Sequence, residues 1–359
     1  MSDFTSVIIY LITYSVSAYF LHKGLSDDDH KNNKILIFLA LILPILLAAF
    51  RYRVGTDFVS YMNRLEQSRT ASLSDILNES YLEVGFTLIE RFSSFIGDRN
   101  FFFGFNAFLT ILPIYFIFKN QYKKMNIGIA YFLYLTLFFT ISFNIVRQMI
   151  AVSIIFWGFK FIFQKKMMEY IIVVLIAILF HSSAIVALPV YFFWVRKEEV
   201  KTPPYRAIIG ILIISLSVIS FQLLLNLLSQ LPAFSHFYAY TIRDTRGQNR
   251  DFFLKLAVLV FLFIQRKYLI KLDKRYEFLL LLQFITVIIG FTGFITPFVK
   301  RSALYFNIGQ TILMSSIPLI YKNNDKLLIK FLIILYGIIY FILVFFILRQ
   351  GNIIPYRIR

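Results

Sequence analysis

The chain has 359 residues, of which 59% are hydrophobic and 16% charged, with a mean hydropathy of +0.73. Soluble domains are about half apolar and a quarter charged, so the composition excludes an ordinary soluble enzyme. The absence of cysteine excludes disulfides and thiolate metal sites, and the net charge of +18 comes with no long basic run or RNA-binding motif, so no nucleic acid partner is expected.

The apolar residues fall into runs of about twenty, the length that crosses a bilayer as helix. They lack the alternation of barrel strands. The sequence therefore predicts an all-α polytopic membrane protein, a single transmembrane domain over 1–359. Spans are expected at 4–22, 35–50, 101–118, 127–143, 147–163, 207–229, 252–270, 276–296, 302–321 and 328–348. The first is read as a retained span, because no basic n-region precedes it. Lysine-rich connections at 23–34, 119–126, 164–168, 195–206, 266–275 and 322–327 are read as cytoplasmic, which places both termini outside.

Two regions depart from simple spans. Residues 169–195 fit the alternation of sides only as two half-length helices, 169–180 and 183–195, joined at Phe180-His181-Ser182-Ser183. Such a break is tolerated at membrane depth only where protein or a cavity surrounds it. Residues 51–100 form the first outer loop, and 81–97 read as an interfacial or re-entrant helix. A second outer loop, 230–250, carries His236, Tyr238, Tyr240, Arg243, Arg246 and Arg250.

The two sides differ in their basic residue. Lysine fills the inner loops, and arginine fills the outer ones. Lysine is a solvated point charge, whereas arginine is a planar fork that grips phosphate or carboxylate through two hydrogen bonds. An outer face furnished with arginine points to an anionic, phosphate-bearing ligand. The densest cluster is Arg51-Tyr-Arg53-Val-Gly55-Thr-Asp57 with Tyr61, where Gly55 permits a tight turn. Interface anchoring is the ordinary role of such arginines. Glu83 opens the short helix with Gly85 close by, and serving the helix dipole is its ordinary alternative. Asn144-Ile-Val-Arg147-Gln148 puts charge and amide into an apolar helix, which is costly unless they face a cavity or a partner. His181 sits at the helix break, with a bond to a backbone carbonyl as its ordinary alternative. Lys300-Arg301 with Tyr305 and the tail Pro355-Tyr356-Arg357 complete the set. The four histidines, at 22, 30, 181 and 236, lack metal-ligand spacing, and neither metal nor cofactor is expected.

In this order, these motifs resemble the EpsG-like family of exopolysaccharide polymerases, relatives of the Wzy O-antigen and capsule polymerases. The resemblance runs from about residue 50 to the end; 230–250 aligns with nothing. The spans read above amount to about ten full spans plus a half-helix hairpin, and the resemblance implies an architecture similar to GT-C glycosyltransferases. It also implies a bacterial cytoplasmic-membrane location with the active site on the outer, periplasmic face. The implied substrates are undecaprenyl-diphosphate-linked oligosaccharide repeats. By family analogy, a chain-length regulator of the Wzz type is a partner.

The chemistry then divides into two tasks. Arg147, Arg51, Arg53 and Arg301 are candidates to stabilise the leaving diphosphate. His181, Asp57 and Glu83 compete for the role of base toward the acceptor hydroxyl. Tyr61, Gln148, Tyr305, Arg243 and Arg246 complete the substrate-binding set. Rival classes are a flippase for the same lipid, another membrane transferase such as a ligase, and a non-catalytic assembly subunit. The gathering of charge on one face and the lack of repeated halves argue against the flippase.

Overall fold

The computed structural model describes residues 1–25, 33–70, 83–120, 124–194, 252–292 and 299–358. The expected span 207–229 and the loop 230–250, with Arg243 and Arg246, lie outside the described residues. Among the described residues the structure is helical, and its one β-feature is an isolated antiparallel bridge between Arg51 and Ile358.

Helices α1 (Asp3–Leu25) and α2 (Lys34–Ala49) pack as a hairpin. Asn33 caps α2, its side-chain oxygen accepting from the Leu36 N–H at 3.1 Å. Helices α3 (Phe58–Thr70) and α4 (Val84–Ile96) pack on each other beside α5 (Arg99–Asn120). Helix α6 (Ile127–Leu137), capped by Asn126, is the centre of the bundle, packed by α1, α13 and α14. Every residue from Ile129 to Leu137 is buried, as expected of a helix that is apolar all round. After it come α7 (Val146–Phe163), α8 (Met167–Ile178), α9 (Phe252–Ile264), α10 (Arg266–Leu272) and α11 (Arg275–Thr292). The last are α12 (Leu304–Asn307), α13 (Gln310–Ser316) and α14 (Asn323–Phe341), which runs on into a π-helical turn at Ile342–Ile347.

Four helical stretches are long and apolar enough to cross a membrane: Asp3–Leu25, Arg99–Asn120, Val146–Phe163 and Asn323–Ile347. Shorter apolar helices stand at other expected spans, including Lys34–Ala49 and Phe252–Ile264. The outward faces fit a lipid environment. On α1, Phe4, Ile8, Ile12 and Tyr19 are exposed, while Val7, Tyr10, Tyr14, Ala18 and Leu21 are buried. An exposed apolar stripe of this length is a liability in water and natural in hydrocarbon.

Several expected single spans are interrupted. The run 127–143 leaves α-geometry after Leu137 and tightens into a 3-10 turn, Phe139–Phe143. The Thr140 hydroxyl donates to the Leu135 carbonyl at 3.0 Å across that change. The run 302–321 is split at Ile308-Gly309 into α12 and α13. The expected break at 180–183 is present: α8 ends at Ile178 and a 3-10 segment, Ser182–Val190, packs back against it.

Candidate functional site

The site is built on the break after α8. Once helical pairing stops, the Leu179 carbonyl turns outward and accepts the Gly85 N–H at 2.9 Å. A Cβ at Gly85 would lie 3.0 Å from the Leu179 Cβ and 3.1 Å from its carbonyl oxygen, so glycine alone lets α4 start this close to the break. The residue just before α4 is thereby delivered to the residue just after α8. Glu83 Oε1 lies 2.7 Å from His181 Nδ1. Glu83 Oε2 accepts from Arg147 Nη1 at the start of α7.

These side chains are turned toward one another. Glu83 occupies the N-cap position of α4 but makes no side-chain cap bond. Both its oxygens are committed to His181 and Arg147. The side chains are partly covered, with 14% of Glu83, 22% of His181 and 30% of Arg147 exposed. Burial by itself raises the Glu83 pKa. The His181 hydrogen bond and the charges of Arg147, His181 and Arg64 outweigh it and hold the carboxyl below its ordinary value. An ionised carboxylate only accepts hydrogen bonds, so Nδ1 of His181 carries a hydrogen and donates it to Glu83.

The turn 51–57 is a scaffold for this cluster. Arg51 is 2% exposed, and its guanidinium lies 4.2 Å from the Phe103 ring centroid and 4.6 Å from that of Phe143. Its Nη1 donates to the Phe143 carbonyl at 2.5 Å. Arg51, expected to meet phosphate, is therefore placed as an internal strut. Arg53 is exposed, with φ of 51°, and leans on Tyr52 with 5.6 Å between guanidinium and ring centroid. Gly55 has φ of 97°, and a Cβ there would meet the Phe143 carbonyl oxygen at 2.8 Å. The required tight turn is thus also a close approach. Asn144 joins the turn to α7: its Oδ1 accepts the Thr56 N–H at 2.7 Å, and its carbonyl accepts the Tyr61 hydroxyl at 3.0 Å. Tyr61, expected at the glycan, is buried. Asp57 Oδ1 accepts from the Thr56 hydroxyl at 3.0 Å. Among the described residues no ion pair or hydrogen bond connects Asp57 to Glu83, His181 or Arg147.

The tail that carries Pro355-Tyr356-Arg357 folds back onto the turn 51–57. Tyr52 N–H donates to the Arg357 carbonyl at 2.8 Å, and Gly55 N–H to the Asn352 carbonyl at 3.1 Å. The Tyr356 hydroxyl donates to the Leu47 carbonyl at 2.8 Å. Arg349 pairs with Asp3 at 2.5 Å, which ties the two ends of the chain together.

A third wall comes from the segment after α11. Gln148 Nε2 donates to the Arg301 carbonyl at 3.0 Å, while Oε1 is buried with no protein partner. The buried Tyr305 hydroxyl and the Ser183 hydroxyl are 3.1 Å apart, which fastens α12 to the break. Sequence reasoning missed Arg64 and Glu90, which form a two-bond ion pair at 2.7 and 2.8 Å on the same face of α4. The signal was available: Glu83, Phe86 and Glu90 share one helical face by spacing. Among the described residues no group of three or more His, Cys, Asp or Glu is placed to hold a metal ion.

The Glu83, His181 and Arg147 cluster is set in an apolar helical bundle, four stretches of which are long and apolar enough to cross a membrane, and this defines a membrane protein. The chain belongs to the EpsG family, whose family model matches residues 34–358, and its type is that of a membrane polysaccharide polymerase. No curated protein and no solved structure matches the chain.

Proposed function

We propose that this protein polymerises lipid-linked oligosaccharide repeats. The donor is a glycan on undecaprenyl diphosphate, and the acceptor is the terminal sugar hydroxyl of another such repeat. The product belongs to O-antigen, capsule or exopolysaccharide synthesis. The site faces outward from the bacterial cytoplasmic membrane, consistent with arginine in the loops at this end of the bundle and lysine at the other. The observation that carries the reading is the Glu83 carboxylate held between His181 and Arg147.

In this mechanism the acceptor hydroxyl gives its proton to Nε2 of His181. Its oxygen bonds to the donor's anomeric carbon as the bond to diphosphate breaks, and undecaprenyl diphosphate leaves with the electron pair. Glu83 holds the imidazole in the required tautomer and stabilises the imidazolium that forms, the role a carboxylate plays behind a histidine base. Arg147 donates to the oxygen on which negative charge develops. Arg53, Arg301, Arg243 and Arg246 are proposed to contact the diphosphate or glycan. Asp57 is proposed to order the turn through Thr56 and not to act as base. Arginine supplies the positive charge, so the reaction is proposed to run without a metal.

The test is a purified, reconstituted protein given one defined undecaprenyl-diphosphate repeat from the source cell, with and without EDTA. A set of products at multiples of the repeat, unchanged by EDTA, is expected. Folded protein that forms no multiples but moves the lipid between leaflets of a proteoliposome would replace this reading with that of a flippase.

A further inference from the structure

Glu83, at the N-cap of α4, is followed by Phe86 and Glu90 within it, at spacings of three and four. Each carboxylate meets an arginine from a different element. Glu83 takes Arg147 of α7. Glu90 takes Arg64 of α3, Nε to Oε1 at 2.7 Å and Nη2 to Oε2 at 2.8 Å. Phe86 is near both, its ring centroid 5.8 Å from the Arg147 guanidinium and 6.0 Å from that of Arg64. Both arginines thus sit by one buried ring.

Arg64 is unusually well fixed. The Glu90 side chain is 2% exposed, so its carboxylate is an immobile anchor. A forked, two-bond grip sets the plane of a guanidinium as well as its position. Of its five N–H donors two are taken by Glu90, and no other hydrogen bond from Arg64 is made among the described residues. The side chain is 34% exposed, close to the 30% of Arg147. Stability alone does not account for this arrangement, because a buried ion pair gains little over apolar residues of equal volume. A pre-oriented arginine with donors to spare does account for it.

We propose that Arg64 is a second anion-binding arginine of this site: Arg64 and Arg147, both held beside Phe86 by Glu90 and Glu83, share one lipid diphosphate between them. The proposal rests on the polymerase reading and sharpens it. Two arginines with separate anchors match two phosphoryl groups, so the site prefers a polyprenyl diphosphate to the monophosphate of the same lipid.

The test measures binding of undecaprenyl diphosphate and undecaprenyl monophosphate to the full-length protein in nanodiscs. Wild type is expected to favour the diphosphate by at least about ten-fold, the scale of one charge-assisted fork. The double variant Arg64→Gln/Glu90→Gln removes both charges together, so no buried carboxylate is stranded. It is expected to keep the wild-type melting temperature and lose the preference. Arg64→Lys, which keeps the charge and loses the fork, is expected to lose most of it and carries the test if the double variant does not fold. A folded double variant, or a lysine variant, with wild-type preference would overturn the proposal while leaving the polymerase reading intact. Wild type that binds neither lipid would overturn both.

Discussion

Glu83 and His181 are 98 positions apart in the chain and 2.7 Å apart in space, joined carboxylate to Nδ1. The contact exists because one helix begins where another breaks, and because residue 85 has no side chain to keep them apart. Glu83 thereby fixes which imidazole nitrogen faces the carboxylate.

Removing the imidazole removes the base. His181→Ala and His181→Gln are each expected to lower the turnover of repeat units by about 10²–10⁴-fold, the usual worth of a positioned base. Binding of undecaprenyl diphosphate is expected to stay near wild type. Single-turnover kinetics with matched lipid-binding measurements check the split.

Glu83 links stability to pH. Its folded-state pKa lies below the ordinary value of 4.5, so the stability it contributes is present above that value and is lost as pH falls through the lower folded value. Wild type is therefore expected to lose melting temperature steeply below about pH 4.5, and Glu83→Gln to show a shallower slope there. Thermal melts in detergent across pH 3 to 7, about the range over which a carboxylate titrates, check this.

Gly85 is expected to be intolerant of the smallest substitution. A Cβ there meets the Leu179 side chain at 3.0 Å and its carbonyl oxygen at 3.1 Å, and the carbonyl is backbone that cannot swing aside. Gly85→Ala should cost about 1–3 kcal/mol by overpacking. It should also reduce activity more than stability, because it pushes Glu83 away from His181. Activity per folded molecule, set beside melting temperature, checks the order of the two effects.

Arg51 should behave as structure. Arg51→Met strands the Phe143 carbonyl and loses the cation's contact with two rings, at an expected cost of about 1–3 kcal/mol. The remaining folded protein should show a near-normal KM. Arg53→Ala, at an exposed position, should do the reverse: little change in melting temperature and a raised KM. Paired melts and steady-state kinetics separate the two arginines.

Much of this arrangement was legible in the sequence. The lengths of the apolar runs, the broken helix at His181 and the short helix opening at Glu83 all follow from hydropathy and from the alternation of sides. Gly55 and Gly85 were visible as special positions. What periodicity could not supply was partnership. Arg51 and Arg53 are two residues apart and look equivalent, yet one is enclosed by Phe103 and Phe143 and the other is exposed. Tyr61 belongs by sequence to the substrate-binding set, but it is buried and its hydroxyl donates to the Asn144 carbonyl. The interruptions at 139–143 and 308–309 were hidden because apolar composition continues unbroken through both. The tail's anchoring depended on backbone carbonyls, which no side-chain pattern announces.

The central claim is that Glu83, His181 and Arg147 act together in glycosyl transfer. The most direct measurement is product formation by wild type, Glu83→Gln, His181→Ala and Arg147→Ala on one defined lipid-linked repeat, each normalised to folded protein. The account predicts multiples of the repeat from wild type alone, with the three variants binding into the membrane and melting as folded proteins but leaving the repeat as single units. Polymerisation at the wild-type rate by folded His181→Ala or Arg147→Ala would contradict it.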